Sequence, residues 1–182
     1  MTDIELVTRA AHYAATAHRR HRRKDLEATP YINHLTEVAH LLASAGCPAV
    51  VISAGYLHDT IEDVDVTYDM LSVDFSVEIA DLVHSVTDDR YLPKEVRKQK
   101  QVEHAAHASP ETAAIKLADK ISNLRSLTSS PPQGWSRETL MEYVEWSHRV
   151  VSRLPAPNSI LLEHYRQVQA GLVRGQTSSA SH

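Results

Sequence analysis

Two histidines and four acidic residues of this 182-residue chain stand where they could do chemistry together: His34, His58, Asp59, Glu62, Asp63 and Asp119. His34 lies four residues before Val38, on the helical face that also carries Leu41. His58 lies four after Ala54 and seven after Val51, on the apolar stripe of the next helix, with Asp59 beside it. An inward-facing aspartate is costly unless it is paired or bound to a metal. Glu62 and Asp63 follow one turn later, at four-residue spacing from His58 and Asp59. Like charges stacked on one helical surface repel, and a divalent cation removes that cost. Asp119 sits in the mostly apolar stretch 115–120, with Asn123 four residues on. Taken singly, each has a plainer explanation: a surface His58-Asp59 pair, or a salt bridge from Asp119 to Lys116.

Together, His34, His58, Asp59 and Asp119 offer two imidazoles and two carboxylates. That mix suits six-coordinate Mn²⁺, Fe²⁺ or Zn²⁺ with positions left for water. Bound water then falls in pKa from ~15.7 towards ~7 and becomes a nucleophile near neutral pH. Glu62 and Asp63 are placed to orient that water and move protons.

Helices must position these groups. Thr2 and Glu5 have capping-box spacing ahead of a first helix with Leu6, Ala10, Tyr13 and Ala17 on one face. A second helix runs from near Pro30 to Gly46, and Pro48 opens a third whose buried stripe is Val51, Ala54, Leu57 and Ile61. Segments 67–75 and 76–86 read as two more, with Ser76 as a cap. Residues 88–93 read as a loop, with a short hairpin over 88–92 left open. Pro93 starts a charged helix to about Ala108, and Ser109-Pro110-Glu111 opens one with Ala114, Leu117, Ala118, Ile121 and Leu124 inside. Residues 128–134 form a linker. Ser136 caps a helix to Leu154, and Asn158 caps a last one to about Val173. The expected architecture is all-α: one helical-bundle domain over 1–173, then a disordered polar tail over 174–182.

Composition narrows the function. The chain is 42% hydrophobic and 23% charged, which excludes disorder. Five glycines argue against a many-turned β sandwich. A formal net charge of −4 argues against a general nucleic-acid binder. Nothing resembles a signal peptide or a membrane span, and one cysteine, Cys47, fits a reducing compartment, the cytoplasm by default.

Four ordered motifs carry a resemblance: Pro30-Tyr31-Ile32-Asn33-His34, Leu57 to Asp63, Val86 to Asp89, and Lys116 to Arg125. In order and spacing they resemble the hydrolase domain of the RelA/SpoT proteins, within the HD superfamily of metal-dependent phosphohydrolases. The similarity is greatest to the stand-alone small alarmone hydrolases of the Mesh type and spans about residues 4–170. Arg22 to Asp25, Gly134-Trp135-Ser136 and the segment around Tyr143 and Trp146 share in it. The resemblance implies an HD-type bundle, Mn²⁺ as cofactor, His34, His58, Asp59 and Asp119 as ligands, and Glu62 with Asp63 as the catalytic pair. It implies removal of the 3′-pyrophosphate of guanosine tetra- or pentaphosphate. Leu35, Ala28 and His21 depart from the family's usual proline, glycine and glutamine.

A polyanionic substrate needs cations. Arg23, Lys24, Lys94 and Arg97 are the candidates, with Asn123 and Tyr143 for ribose or phosphate oxygens. Lys98 and Lys100 read as a solvated face, and Trp146 as packing. Beside the pyrophosphohydrolase reading stand an NADPH 2′-phosphatase using the same centre and, more distantly, a non-catalytic nucleotide sensor. The expected partner is a small nucleotide, with a monomer or weak homo-oligomer as the assembly.

Overall fold

The computed structural model describes residues 1–178. Its helices are α1 (Asp3–Ala17), α2 (Ile32–Ser44), α3 (Ala49–Leu57), α4 (Thr60–Asp63), α5 (Tyr68–Asp74), α6 (Val77–Val86), α7 (Lys94–Ala105), α8 (Pro110–Ser129), α9 (Arg137–Val151) and α10 (Ser159–Ser178). Local chemistry sets most starts. Thr2 and Glu5 close a reciprocal capping box on α1. Ser76, Ser109 and Ser136 accept main-chain N–H groups at the starts of α6, α8 and α9, and Pro110 occupies the first turn of α8. Asn158 accepts the N–H groups of Ile160 and Leu161 at α10.

Helix α8 runs through the middle of the bundle, packing on α2, α3, α6, α9 and α10, while α1 and α2 both lie against α3. Leu35, Leu42, Leu57, Ile115, Leu117, Ile121 and Leu124 are fully buried where these helices meet. Each such side chain contributes about 1.5–3 kcal/mol through lost apolar contact with water. Gly55 allows the close approach of α3 to α2: a Cβ there would overlap Leu42 Cδ1.

The structure departs from sequence expectation at several points. The third helix does not continue through Ile61. It ends at Leu57, and α4 restarts as a single turn after Asp59, whose φ of −97° and ψ of 1° turn the chain. Side chains cause the break. Nδ1 of His58 bonds the Gly55 carbonyl at 2.8 Å, and Thr60 Oγ1 donates to the Leu57 carbonyl at 2.6 Å. Acceptors that a continuing helix would give to main-chain N–H groups are thus taken. No hairpin forms over 88–92, where Leu92 N–H merely closes a turn onto the Asp89 carbonyl. The isolated bridge among the described residues joins Arg22 to Pro30. Helix α7 stops at Ala105 and α9 at Val151, each short of its expected end. The tail expected over 174–182 overlaps α10 as far as Ser178, and residues 179–182 lie outside the described residues.

Candidate metal centre and active site

Helices α2, α3 and α8 each bring part of one centre. His34 comes from the first turn of α2, His58 and Asp59 from the break after α3, and Asp119 from the middle of α8. Nε2 of His34 lies 3.7 Å from Asp59 Oδ2 and 3.3 Å from Asp119 Oδ1. Nε2 of His58 lies 3.1 Å and 3.8 Å from the same two oxygens. Both imidazoles are buried, whereas the carboxylates keep 18% and 19% of their side-chain surface exposed, enough for access from one side. The four residues expected as ligands therefore converge, with His34, His58 and Asp59 forming the tightest group.

Hydrogen bonds on the far side of each ring aim its lone pair inward. A carbonyl can only accept, so the bond to Gly55 puts the proton of neutral His58 on Nδ1. Ser122 Oγ gives its own proton to Glu37 Oε2 at 2.7 Å, so it accepts from His34 Nδ1 at 2.8 Å. Both Nε2 atoms then face the carboxylates, and His58 Nε2 is buried without a hydrogen-bond partner. Burial alone would lower the pKa of His58, but Asp59 and Asp119 outweigh it and raise the value well above normal. Burial likewise works against the charge of both carboxylates. His58 and His34 nonetheless hold Asp59 below its usual range, and Lys120 with the two histidines does so for Asp119. The centre thus attracts positive charge. A divalent cation satisfies both imidazoles and both carboxylates at once, so the residues present fit a metal.

The chain turn at Asp59 alters the expected placement of the acidic pair. Glu62 and Asp63 do not stack over His58-Asp59 on one helical surface. They take different partners beside the centre. Glu62 accepts the Asp88 N–H at 3.1 Å and Arg97 Nη1 at 3.2 Å. Burial, only partly countered by the Asp88 N–H, pushes Glu62 up to about 7. Asp63 faces His21, with 3.9 Å between Oδ2 and Nδ1, and burial together with Asp59 raises its pKa.

A cleft of about 460 Å³ opens over the centre. Lys24, Lys94, Arg97, Asn123 and Tyr143, the candidate substrate contacts, are among the residues that line it. Arg23 does not. Its guanidinium donates to Asn123 Oδ1 at 2.9 Å and Ser126 Oγ at 2.8 Å, and it lines an adjoining pocket of about 280 Å³. Asn123 in turn donates to Asp119 Oδ1 at 2.6 Å, so Arg23 reaches the centre through Asn123. Arg97 is partly committed to Glu62. Lys98, expected on a solvated face, lines the cleft with its ammonium 5.6 Å from the Trp146 ring centroid. Trp146 packs as expected and also walls the cleft, with Tyr143 against it and Trp135 beyond.

Sequence reasoning missed four contributors. Lys120, not Lys116, pairs with Asp119, at 3.0 Å. Lys116 lines the cleft nearly buried, and burial lowers its pKa. The four-residue spacing of these lysines, one residue C-terminal to Asp119 and three before it, was the available signal. Tyr31 donates to Asp59 Oδ2 at 2.7 Å. His21 stacks on Tyr31 with centroids 3.9 Å apart.

An all-helical bundle that closes two imidazoles and two carboxylates around one centre defines an HD-type metal-site protein. Residues 10–150 match the HD domain family. The chain is 47% identical over 167 residues to the guanosine-3′,5′-bis(diphosphate) 3′-pyrophosphohydrolase MESH1 of Homo sapiens, covering 90% of this chain and 93% of that one. It is 44% identical over 162 residues to the MESH1 of Xenopus tropicalis, covering 88% and 90%. A solved structure of a metazoan ortholog of SpoT, described as hydrolysing ppGpp with a role in starvation responses, superposes with a TM-score of 0.87 at 38% identity, covering 92% of this chain and 96% of that one. The chain belongs to the HD-domain family and, within it, to the MESH1 group of RelA/SpoT-type proteins.

Proposed function

We propose that this protein is a metal-dependent guanosine-3′,5′-bis(diphosphate) 3′-pyrophosphohydrolase, releasing pyrophosphate from ppGpp or pppGpp to leave GDP or GTP. One observation carries the reading: each histidine Nε2 lies 3.1–3.8 Å from a carboxylate oxygen of both Asp59 and Asp119, under a cleft whose walls hold Lys24, Lys94, Lys98, Lys116 and Lys120. A small, strongly anionic substrate is what such a cleft selects in a protein of net charge −4. The MESH1 relatives act on the same nucleotide.

His34, His58, Asp59 and Asp119 would hold the metal, and their mixed nitrogen and oxygen donors favour Mn²⁺, with Fe²⁺ and Zn²⁺ as competitors. Such an ion supplies Lewis acidity to a phosphoryl oxygen and acidity to water. The reaction breaks the bond between phosphorus and the ribose 3′-oxygen. Water contributes the new oxygen on phosphorus and loses a proton, and the 3′-oxygen gains one. Glu62, pushed to about 7, is matched to take a proton from water at neutral pH. Asp63, beside His21, is the second proton site. Lys116 and Lys120 neutralise the phosphates, and Asn123, held between Arg23 and Asp119, offers its amide to ribose or phosphate. Tyr143 forms the adjoining wall. The free thiol of half-buried Cys47 accords with a reducing compartment such as the cytoplasm.

The test is steady-state kinetics with Mn²⁺ on ppGpp and NADPH side by side. A higher kcat/KM for ppGpp supports the reading. A higher value for NADPH, with phosphate released, would make the protein a 2′-phosphatase. Binding without turnover of either would make it a sensor.

A further inference from the structure

A chain of polar side chains leads away from the metal centre behind His34. Nδ1 of His34 donates to Ser122 Oγ at 2.8 Å, and Ser122 donates to Glu37 Oε2 at 2.7 Å. The other oxygen, Glu37 Oε1, accepts from Arg125 Nη1 at 3.0 Å. Ser122 is buried in α8, Glu37 sits on α2, and the Arg125 pair lies at the surface, with 40% and 33% of the two side chains exposed. A pair this exposed adds little by itself. At the end of a buried hydrogen-bond chain it holds the Glu37 carboxylate in place to take the serine proton. His58 has no counterpart: its Nδ1 is fixed by a main-chain carbonyl, which no substitution removes.

We propose that Ser122, Glu37 and Arg125 are positioning residues that fix the tautomer of His34 and thereby set the metal affinity of the centre. With Ser122 obliged to donate to Glu37, it can only accept from His34, which leaves Nε2 as the lone pair. Without that bond the imidazole can carry its proton on Nε2, facing the metal site, and can rotate. The negative charge of Glu37, passed through the serine hydroxyl, also makes Nε2 a stronger donor. Removal of such outer partners typically costs ~10–100-fold in metal affinity. The inference rests on the metal centre of the proposed function and is independent of which nucleotide is the substrate.

The experiment is titration of the metal-free full chain with Mn²⁺ alone, following free Mn²⁺ by electron paramagnetic resonance. Wild type, Ser122→Ala, Ser122→Thr and Glu37→Gln are compared, with thermal denaturation of each metal-free protein alongside. Ser122→Ala is expected to raise Kd roughly 10–100-fold, Ser122→Thr to recover most of the loss by restoring the hydroxyl, and Glu37→Gln to raise Kd as well. At saturating Mn²⁺ the variants should keep kcat within a few-fold. Should Ser122→Ala fail to fold, Glu37→Gln decides, because its one-third-exposed side chain keeps its shape. Unchanged Kd in Glu37→Gln, or in Ser122→Ala with only a lower melting temperature, would reduce the chain to a brace between α2 and α8 and overturn the proposal. So would a wild-type protein that does not bind Mn²⁺. A preference for NADPH over ppGpp would overturn the substrate assignment and leave this result standing.

Discussion

Burial lifts the carboxyl of Glu62, the proposed general base, to about 7 against the opposing Asp88 N–H, which would place the acid limb of the reaction. A general base works deprotonated, so kcat/KM should rise with pH up to that value and level above it. A bound divalent cation nearby favours the carboxylate, so the limb of the loaded enzyme lies at or below about 7. Glu62→Gln should remove the limb and lower kcat by ~10²–10⁴ while metal content stays normal. Asp119→Ala should lose metal and activity together, as elemental analysis beside turnover would reveal. Lys116 gives opposite signs for binding and stability. It is a nearly buried cation without an ion pair among the described residues, held beside Lys120. Lys116→Met should raise KM for ppGpp roughly ten- to a hundredfold, the loss of a charge-assisted hydrogen bond, and leave the melting temperature unchanged or higher. A fall in stability with unchanged KM would make Lys116 structural. Arg23→Ala acts through Asn123, so it should raise KM for ppGpp and NADPH alike, where a direct contact to the 3′-diphosphate would raise only the first.

Close approach of α3 to α2 depends on Gly55, and with it the position of His58 three residues on. Gly55→Ala must push Leu42 aside and should cost about 1–3 kcal/mol in thermal unfolding. The loop from His18 to Tyr31 has a different strain. Ala28 sits at φ 48°, the sole positive-φ non-glycine among the described residues. The left-handed region costs a residue with a Cβ about 1–2 kcal/mol, and glycine loses about 0.4–1 of that to a freer unfolded chain. Ala28→Gly should therefore raise stability by up to about 1 kcal/mol. Helix starts were legible because a Ser, Thr or Asn cap acts on N–H groups two or three residues away. The break at His58-Asp59 was not legible, because it depends on which acceptors two side chains capture. Spacing therefore picked out the candidate ligands but not the partners that Glu62 and Asp63 take. Lys120, Tyr31 and the Glu37 chain are partnerships between helices, to which periodicity within one helix is blind.

Across the whole molecule, the three helices that bring the candidate metal donors together are held by apolar contacts of their own. Leu35, Leu42, Leu57, Leu117, Ile121 and Leu124 close the core without the ion. Chelation should accordingly abolish turnover and leave the helical circular dichroism signal in place, with Mn²⁺ restoring activity. Loss of helicity on chelation would make the metal structural. No helix among the described residues is long and apolar enough to cross a membrane. In the proposed reaction water attacks the 3′-diphosphate in a cation-walled cleft over a His₂Asp₂ centre. Product analysis of the Mn²⁺-loaded protein with ppGpp in ¹⁸O-labelled water tests this. GDP and intact pyrophosphate should appear in equal amounts, with the label in pyrophosphate. Release of single phosphates, label in the nucleoside, or no turnover at all would contradict it.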